Sequence, residues 1–560
     1  MTTQGDSCAR QAQWVEAPPL AQLHERGPTA SKLGGRQVAL FVVEGEVLAC
    51  NNRCPHEGYP LCEGALDTAG VLTCQWHNWK FDLRSGTNLY GGDPLRIYPV
   101  RVDAGRVWVD VSDPPPAQRV AEALAQLTNA MAEDDYSRVG RELARLEQAG
   151  ASVDAAMLQA LDHSHARLRN GMTHAYPAID AWLRLRDQLA DKSQRLACAT
   201  EALAHVSFDT LREAHYPYAT GRRSWQAQEF LAAVEAQDEA GATEPLNDAL
   251  AQGLAFNALE PVFAQAALAH YNAFGHSLIY LTHVRSLVER LGQAAAAPLL
   301  RAWTRGVVLA TREDLLPDFK AYAGALEKWP HAPRAGASRS PSSISLSTSL
   351  STGLSDSAPP AALFEGRKIR ETLAATLEAA ARHAPLALWH ALMQASAHHL
   401  LRFDERLAVR TDNPVTDDVN WLDFSHALTF GHAVRQTCTR WPELWPQGLL
   451  QMALFVGRNT PHLAPGADSA TAQAAWPEDN AEDIDTLART RILDHGIGLP
   501  IFPVHWLKTW LAVRDTIALG VPQASASALR AAVRRLLSAQ FKQRHALRSA
   551  QQALRFVERE

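Results

Sequence analysis

The sequence predicts a multidomain α+β protein, with a small antiparallel β domain followed by a large, histidine-rich all-α domain. Three observations carry this. Residues 1–114 hold short β-rich runs divided by Gly and Pro. From 117 onward Ala, Leu, Arg, Gln and Glu dominate, with apolar residues at helical spacing. Of the 22 histidines, three precede position 120 and nineteen follow it. At 560 residues the chain is too long for one domain of about 150.

The elements follow in order. LGGRQVALFVVEGEVLAC (33–50) is two β-rich runs separated by Glu44-Gly45, a hairpin signal. VLTC (71–74), LRIYPVRVD (95–103) and GRVWVDV (105–111) are further strands. DPPP (113–116) stops any strand and closes the domain at 114. VAEALAQLTNAMA (120–132), VGRELARLEQAG (139–150) and LAAVEAQDEAG (231–241) predict helices, with Gly150 and Gly241 as C-caps. The Ser-rich stretch 335–362 buries too little apolar surface to offset its ordering entropy and predicts a disordered linker. It divides the helical part into 117–334 and 363–560. WPELWP (441–446) predicts a turn between helices. Residues 531–560 predict one amphipathic helix whose basic face is a candidate docking surface for an acidic ferredoxin or reductase.

Composition excludes some classes. With 47% hydrophobic and 20% charged residues the chain is globular rather than disordered. A net charge of −6 and a pI near 6.4 lack the basic footprint of a nucleic-acid binder. No apolar run reaches the roughly 18 to 20 residues of a membrane span. The first twenty residues lack a charged region followed by an apolar one, so no signal peptide is predicted and a cytoplasmic location is expected.

Four of the seven cysteines fall between positions 50 and 74, which reads as metal binding in a reducing compartment. Cys54-Pro55-His56 is followed, seventeen residues later, by Cys74-Gln75-Trp76-His77. Two thiolates and two imidazoles in matched pairs suit a [2Fe–2S] centre with His₂ in place of Cys₂ on one iron. Cys54 and Cys74 are then the candidate ligands of the inner iron, His56 and His77 those of the outer one. Neutral imidazoles raise the potential, and an unligated ring nitrogen couples proton loss to electron transfer. Cys₂His₂ is also zinc chemistry, but zinc fingers keep like ligands together, whereas here each loop brings one of each.

These motifs resemble the Rieske family over residues 14–112. CPHEGYPLCEGAL (54–66) is similar to its first cluster loop and CQWHNWKFDLRSG (74–86) to its second; LRIYPVRVDAGRVWVDV (95–111) is similar to its closing strands. The resemblance implies that Cys54, His56, Cys74 and His77 ligate the cluster. Gln75 and Trp76 leave Cys62 without the partner that forms a disulfide in respiratory Rieske proteins, so the likeness is to the ferredoxin and oxygenase type. Cys50 and Cys62 are expected to be small buried hydrophobes.

Without a G-x-G-x-x-G after a strand or a Walker loop, an external NAD(P)H-dependent reductase or ferredoxin is the expected electron source. Residues 420–432, NWLDFSHALTFGH, fit D-x-x-H-x₅-H and make Asp423, His426 and His432 candidates for a mononuclear iron site of the Rieske oxygenase kind. HYNAFGH (270–276) and HALTFGH (426–432) share His-x-x-x-Phe-Gly-His, a hint of internal duplication. It makes His276 and His432 candidate catalytic residues and adds His270 and His276 to the candidates for a second, non-haem iron. NGMTHAYPAIDAWLRL (170–185) and FGHSLIYLTHVRSLVERLG (274–292) resemble the questin-oxidase-like family of all-α oxidases, which implies oxidation of a small organic substrate.

Further histidines recur on predicted helices: His163, His165, His174, His205, His215, His283, His390, His398, His399 and His505. Each taken singly is ordinarily a core or surface residue. His276 and His283, seven apart, share a helix face. Asp162 and His165, like Asp423 and His426, lie one turn apart. The expectation is a Rieske oxidoreductase passing electrons to a helical domain that oxidises a small organic molecule with O₂. The alternatives are an electron carrier or redox sensor with a non-catalytic helical docking domain, and a Rieske oxygenase with iron at Asp423, His426 and His432.

Overall fold

A computed structural model describes residues 12–330, 354–409, 419–466, 468–477, 481–493, 495–538 and 545–559. The chain forms two compact units. One comprises Met1–Gln159, Ala190–Thr200 and Leu547–Glu560; the other comprises Ala160–Leu189 and Glu201–Ala546. The first thus takes in helices on both sides of the 113–116 stop. Most of the Ser-rich stretch lies outside the described residues. Its last part, 354–362, leads into the turn Ala361–Leu363, and Ser355 bridges to His383.

The first unit is a small antiparallel β domain with added helices. Its strands are β1 Trp14–Ala17, β2 Thr29–Leu33, β3 Arg36–Val43, β4 Glu46–Asn51, β5 Ala65–Leu66, β6 Val71–Thr73, β7 Lys80–Asp82, β8 Ile97–Tyr98, β9 Val100–Asp103 and β10 Arg106–Asp110. They form three sheets, ordered β1-β10-β9, β2-β3-β4-β8 and β5-β6-β7. Val43 pairs with Glu46, which leaves Glu44 and Gly45 as a two-residue loop. Both take positive φ, 51° and 84°, the conformation that matches strand twist in a tight hairpin. The small β5-β6-β7 sheet carries the Cys74 loop between β6 and β7, and the Cys54 loop follows β4. Leu61, Leu72, Phe81 and Leu83 pack with Cys54 and Cys74 into one buried cluster.

Pro116 starts the helix Pro116–Ala132, where its missing N–H is no loss. The next helix, Tyr136–Gln148, is clamped to the β domain through Asp93, which is fully buried. Arg141 Nε donates to Asp93 Oδ1 at 3.0 Å and Arg145 Nη1 does so at 2.7 Å. Burial opposes the charge on Asp93, but the two guanidinium groups outweigh it and hold its pKa at about 2.

In the second unit the helix His276–Leu291 packs against Ala175–Arg186, Phe256–Ala269, Gln293–Val308 and Trp421–Arg440. Trp421–Arg440 also packs against Pro385–Arg402, Trp445–Asn459 and Ile501–Ala518. No helix among the described residues is long and apolar enough to cross a membrane.

Three expectations change. Gly241 is not a C-cap. The helix Ala227–Glu235 ends earlier, Gln237 takes the left-handed position (φ 55°), and Asp238 caps a new helix by accepting from the Gly241 N–H at 2.9 Å. The segment 531–560 is not one helix: Gln523–Leu537 ends at Ser538 and Ala546–Val557 is separate. The two FGH segments are not equivalent, since the first spans a loop before a helix and the second lies inside one.

Asp93→Asn takes the shared carboxylate from Arg141 and Arg145, of which Arg145 keeps Glu142. It is expected to cost about 3 kcal/mol or more in denaturant unfolding of this unit, followed by loss of the cluster's visible absorbance. Because the folded-state pKa is depressed below 3.8, the stabilisation is complete above about pH 4 and is lost as the pH falls toward about 2.

Candidate functional site

The two cysteine loops of the first unit are built alike. Cys54 N–H donates to Tyr59 O at 2.9 Å and Gly58 N–H to Cys54 O at 2.8 Å. Cys74 N–H donates to Trp79 O at 2.8 Å and Asn78 N–H to Cys74 O at 3.0 Å. The fifth residue of each loop is left-handed, Gly58 at φ 80° and Asn78 at φ 59°, as suits Gly and Asn. Matched loops place like ligands side by side.

Both thiols are buried, whereas His77 is exposed and His56 half-buried. Burial, reinforced by the neighbouring Cys74 sulfur, pushes the Cys54 thiol up to about 12. A bound cation must therefore supply the drive for thiolate formation. The Nδ1 atoms of His56 and His77 face each other at 3.1 Å. Trp79 stacks on His56, with ring centroids 4.5 Å apart, and Trp76 stacks on His77 at 5.1 Å. Burial and the neighbouring His77 lower the pKa of His56. Two buried sulfurs and two converging surface nitrogens fit a cluster with one thiolate-bound and one imidazole-bound iron. Cys50 is fully buried, Cys62 is half-buried with its N–H on Asn52, and both are free thiols.

Residues 13–94 match the Rieske [2Fe–2S] domain. Through them the chain belongs to the Rieske family, and its N-terminal unit carries an electron-transfer domain with a [2Fe–2S] cluster. It is similar to the ferredoxin component of the naphthalene 1,2-dioxygenase system of Pseudomonas aeruginosa, at 30% identity over 101 residues, which are 18% of this chain and 96% of that protein. It is also similar to the ferredoxin subunit of 3-phenylpropionate/cinnamic acid dioxygenase of Escherichia coli (strain K12), at 37% identity over 81 residues, 14% of this chain and 76% of that one. Among solved structures, the ferredoxin of carbazole 1,9a-dioxygenase from Nocardioides aromaticivorans IC177 is 30% identical, covering 18% of this chain and 100% of that chain, with a TM-score of 0.17. The family match ends at residue 94, before the last strands of the β domain.

The second unit brings four imidazoles together. His174 lies just before the helix Ala175–Arg186, His276 begins His276–Leu291, His426 lies in Trp421–Arg440 and His505 in Ile501–Ala518. Three of the rings are oriented in the same way. The Nδ1 of His276 faces Ala273 O at 2.5 Å, that of His426 faces Leu422 O at 2.7 Å, and that of His505 faces Ile501 O at 2.6 Å. A carbonyl only accepts, so each Nδ1 carries the hydrogen and each Nε2 is a bare acceptor. Those acceptors converge: His276 Nε2 is 2.9 Å from His426 Nε2, which is 3.4 Å from His505 Nε2. His174 completes the group, with one nitrogen of each of His174, His426 and His505 within 4.8 Å of the others.

Lone pairs facing at these distances need a cation between them. A proton is a costly choice, because burial and the nearby Lys508 hold His276 at about 4 and push His174, His426 and His505 well below their ordinary 6.5. A metal ion fits: nitrogens about 2.1 Å from one ion are about 3.0 to 3.4 Å apart in octahedral or tetrahedral arrangement. Lys508 Nζ is 2.8 Å from His174 Nδ1, and burial brings its pKa down to about 7. In its neutral form Lys508 can accept the Nδ1 hydrogen, which leaves the fourth Nε2 bare.

The first FGH segment places His276. Ala273, Phe274 and Gly275 are consecutive left-handed residues (φ 43°, 55° and 76°), a strained turn of the kind that clusters at functional sites. Gly275 is required twice over, since a Cβ there would also lie 2.7 Å from the Phe430 ring. Gly431 has a different task, because a Cβ there would meet Met393 Sδ at 2.1 Å, so it permits close helix packing.

The structure does not assemble Asp423, His426 and His432. Asp423 is committed to starting its helix: it accepts the Asn420 N–H at 3.1 Å and pairs with Arg458 at 2.9 Å, while the Asn420 side chain accepts from Leu422 N–H. Asn420-x-x-Asp423 is thus a capping box. Six residues of helix turn His432 to another face from His426. There it bonds Thr516 at 2.9 Å and Gln436 at 2.7 Å, outside the imidazole group. His270 is also apart, held between Asp314 (2.9 Å) and Glu235 (2.5 Å), whose carboxylates overcome burial and raise its pKa. Of the candidate second-site residues, His276 and His426 meet; His174, His505 and Lys508 join them. His505 and Lys508 are one turn apart, and His174 sits in the quoted THAYP, but neither signal names the partners.

Beside this group lies a cavity of about 570 Å³, reached by Lys508 and lined also by Asp180, Ile279, His283, His432, Arg435 and Leu511.

Proposed function

We propose that the chain is an oxidoreductase whose Rieske domain takes electrons from an external NAD(P)H-dependent reductase or ferredoxin and passes them to a second metal in the helical unit, where a small organic molecule is oxidised with O₂. Cys54, His56, Cys74 and His77 hold the cluster. His174, His276, His426 and His505 hold the second metal. The observation that carries this is the convergence of bare Nε2 atoms, with the half-buried His276 and the buried His426 facing at 2.9 Å. Imidazole donors suit iron, copper, nickel or zinc. A one-electron donor in the same chain favours iron, which changes oxidation state, over zinc, which does not. Iron held there supplies one-electron chemistry toward O₂.

The chain's own residues do the rest. The carbonyls of Ala273, Leu422 and Ile501 fix three rings and raise their basicity. The cavity beside the imidazole group has the size of a small-molecule site. The segments that resemble the questin-oxidase-like family, 170–185 and 274–292, include His174 and His276, which agrees with an oxidative role.

On anaerobically purified protein, iron is expected to exceed acid-labile sulfide by about one per chain. His426→Ala should remove that excess and leave the cluster's visible spectrum intact; equal iron and sulfide in the unaltered protein would return the chain to a simple carrier. Imidazole ligation of the cluster gives a second expectation. Loss of a ligand proton stabilises the oxidised cluster, so its potential, read by spectroelectrochemistry, should fall at alkaline pH by about 59 mV per pH unit.

A further inference from the structure

The cavity beside the imidazole group contains a second constellation that metal binding does not use. Asp180, on the helix Ala175–Arg186, is buried, and both its oxygens are occupied. Oδ2 meets His283 Nδ1 at 2.6 Å, and Oδ1 accepts from the Ser286 hydroxyl. An acceptor on Nδ1 fixes the hydrogen there, so Nε2 of His283 is the basic nitrogen. Among the described residues Nε2 has no hydrogen-bond partner, and His283 lines the cavity.

The cavity wall also carries a cation without a counter-ion. Arg435 donates to Leu519 O at 2.9 Å and Gly520 O at 3.1 Å and lies over the Trp389 ring. It forms no ion pair among the described residues. Arg285 and Arg440, also on the wall, share the single carboxylate of Glu260. A base with a fixed tautomer that shares its cavity with the Arg435 guanidinium suits a ligand that gives up a proton and stays as an anion.

We propose that His283, positioned by Asp180 and Ser286, is a general base that takes the proton from a weakly acidic hydroxyl of a small organic substrate bound in this cavity. The substrate O–H bond breaks, the proton moves to His283 Nε2, and the resulting oxyanion is held by the arginine wall while Asp180 balances the imidazolium. Asp180 and Ser286 are positioning residues. Asp180 and Arg184 face His283 from one helix, Lys508 and Asp515 line the cavity from another, His432 from a third, and Glu289 lies further along its own. Burial lowers the His283 pKa against the pull of Asp180, so the ring is neutral and ready to accept at pH 7. The inference rests on the cavity being the substrate site of the proposed oxidation, and its test does not need turnover.

The probe is para-nitrophenol, whose phenolate is coloured. It is added to the full-length protein and read as a difference spectrum against pH. Bound probe should ionise about one pH unit lower than free probe, a tenfold shift in the equilibrium. His283→Gln should abolish the shift, and Asp180→Asn should reduce it, with iron, sulfide and circular dichroism unchanged. His283→Asn provides the same reading where His283→Gln does not fold. His426→Ala, which removes only the second metal, should keep the shift. Probe that fails to bind, binds as the neutral phenol, or keeps its shift in His283→Gln overturns the inference. A shift lost in His426→Ala and kept in His283→Gln assigns the ionisation to the metal and also overturns it. A shift that depends on His283 in protein with no excess iron leaves the base standing and removes the oxidase reading.

Discussion

Three hydrogen bonds, from the Nδ1 of His276, His426 and His505 to backbone carbonyls, set the chemistry of the helical unit. Each bond decides where a ring keeps its hydrogen, and so where its lone pair points. The lone pairs meet at His426, which faces His276 on one side and His505 on the other, where burial disfavours protonation. Such an arrangement costs folding energy unless a cation fills it. The strained turn at Ala273–Gly275, the close packing at Gly431 and the depressed pKa of Lys508 become intelligible once the group is read as a site rather than as core.

The Rieske domain and the imidazole group are opposite solutions to holding metal. In the first, short loops with matched hydrogen bonds bring two thiols inward and two imidazoles toward solvent. In the second, the proposed donors are neutral imidazole nitrogens, with His426 and His505 buried and His174 and His276 half-buried, so they would not offset the charge of a bound ion. Such an ion would be a strong electrophile, suited to activating O₂ or an anionic substrate. The Arg435 guanidinium and the His283–Asp180 pair lie on the wall of the neighbouring cavity.

The β domain and its cluster loops were legible in the sequence because their determinants are local. Cys54 and His56 are two residues apart, Cys74 and His77 three, and the turn residues Glu44-Gly45, Gly58 and Asn78 lie beside the elements they shape. The helical unit's change of texture at 117 was legible for the same reason. The imidazole group was not, because its members at 174, 276, 426 and 505 come from four helix segments and only packing brings them together. The local pattern that did stand out, Asp423-x-x-His426, misled in an instructive way. A carboxylate one turn before a histidine is the spacing of an iron motif, but three residues after Asn420 it is also the spacing of a capping box, and the helix start claimed it. His276 was found through Phe274-Gly275, whose left-handed turn leaves a mark in sequence; its true partner was the first histidine of HALTFGH rather than the last.

The proposed oxidation depends on a metal ion among His174, His276, His426 and His505. The most direct test is an anomalous difference map at the iron edge from crystals of protein purified anaerobically with its iron. The expected result is a peak separate from the cluster and within about 2.3 Å of a ring nitrogen of each of His174, His426 and His505. A map with peaks at the cluster alone, and imidazoles bridged by water, would contradict it.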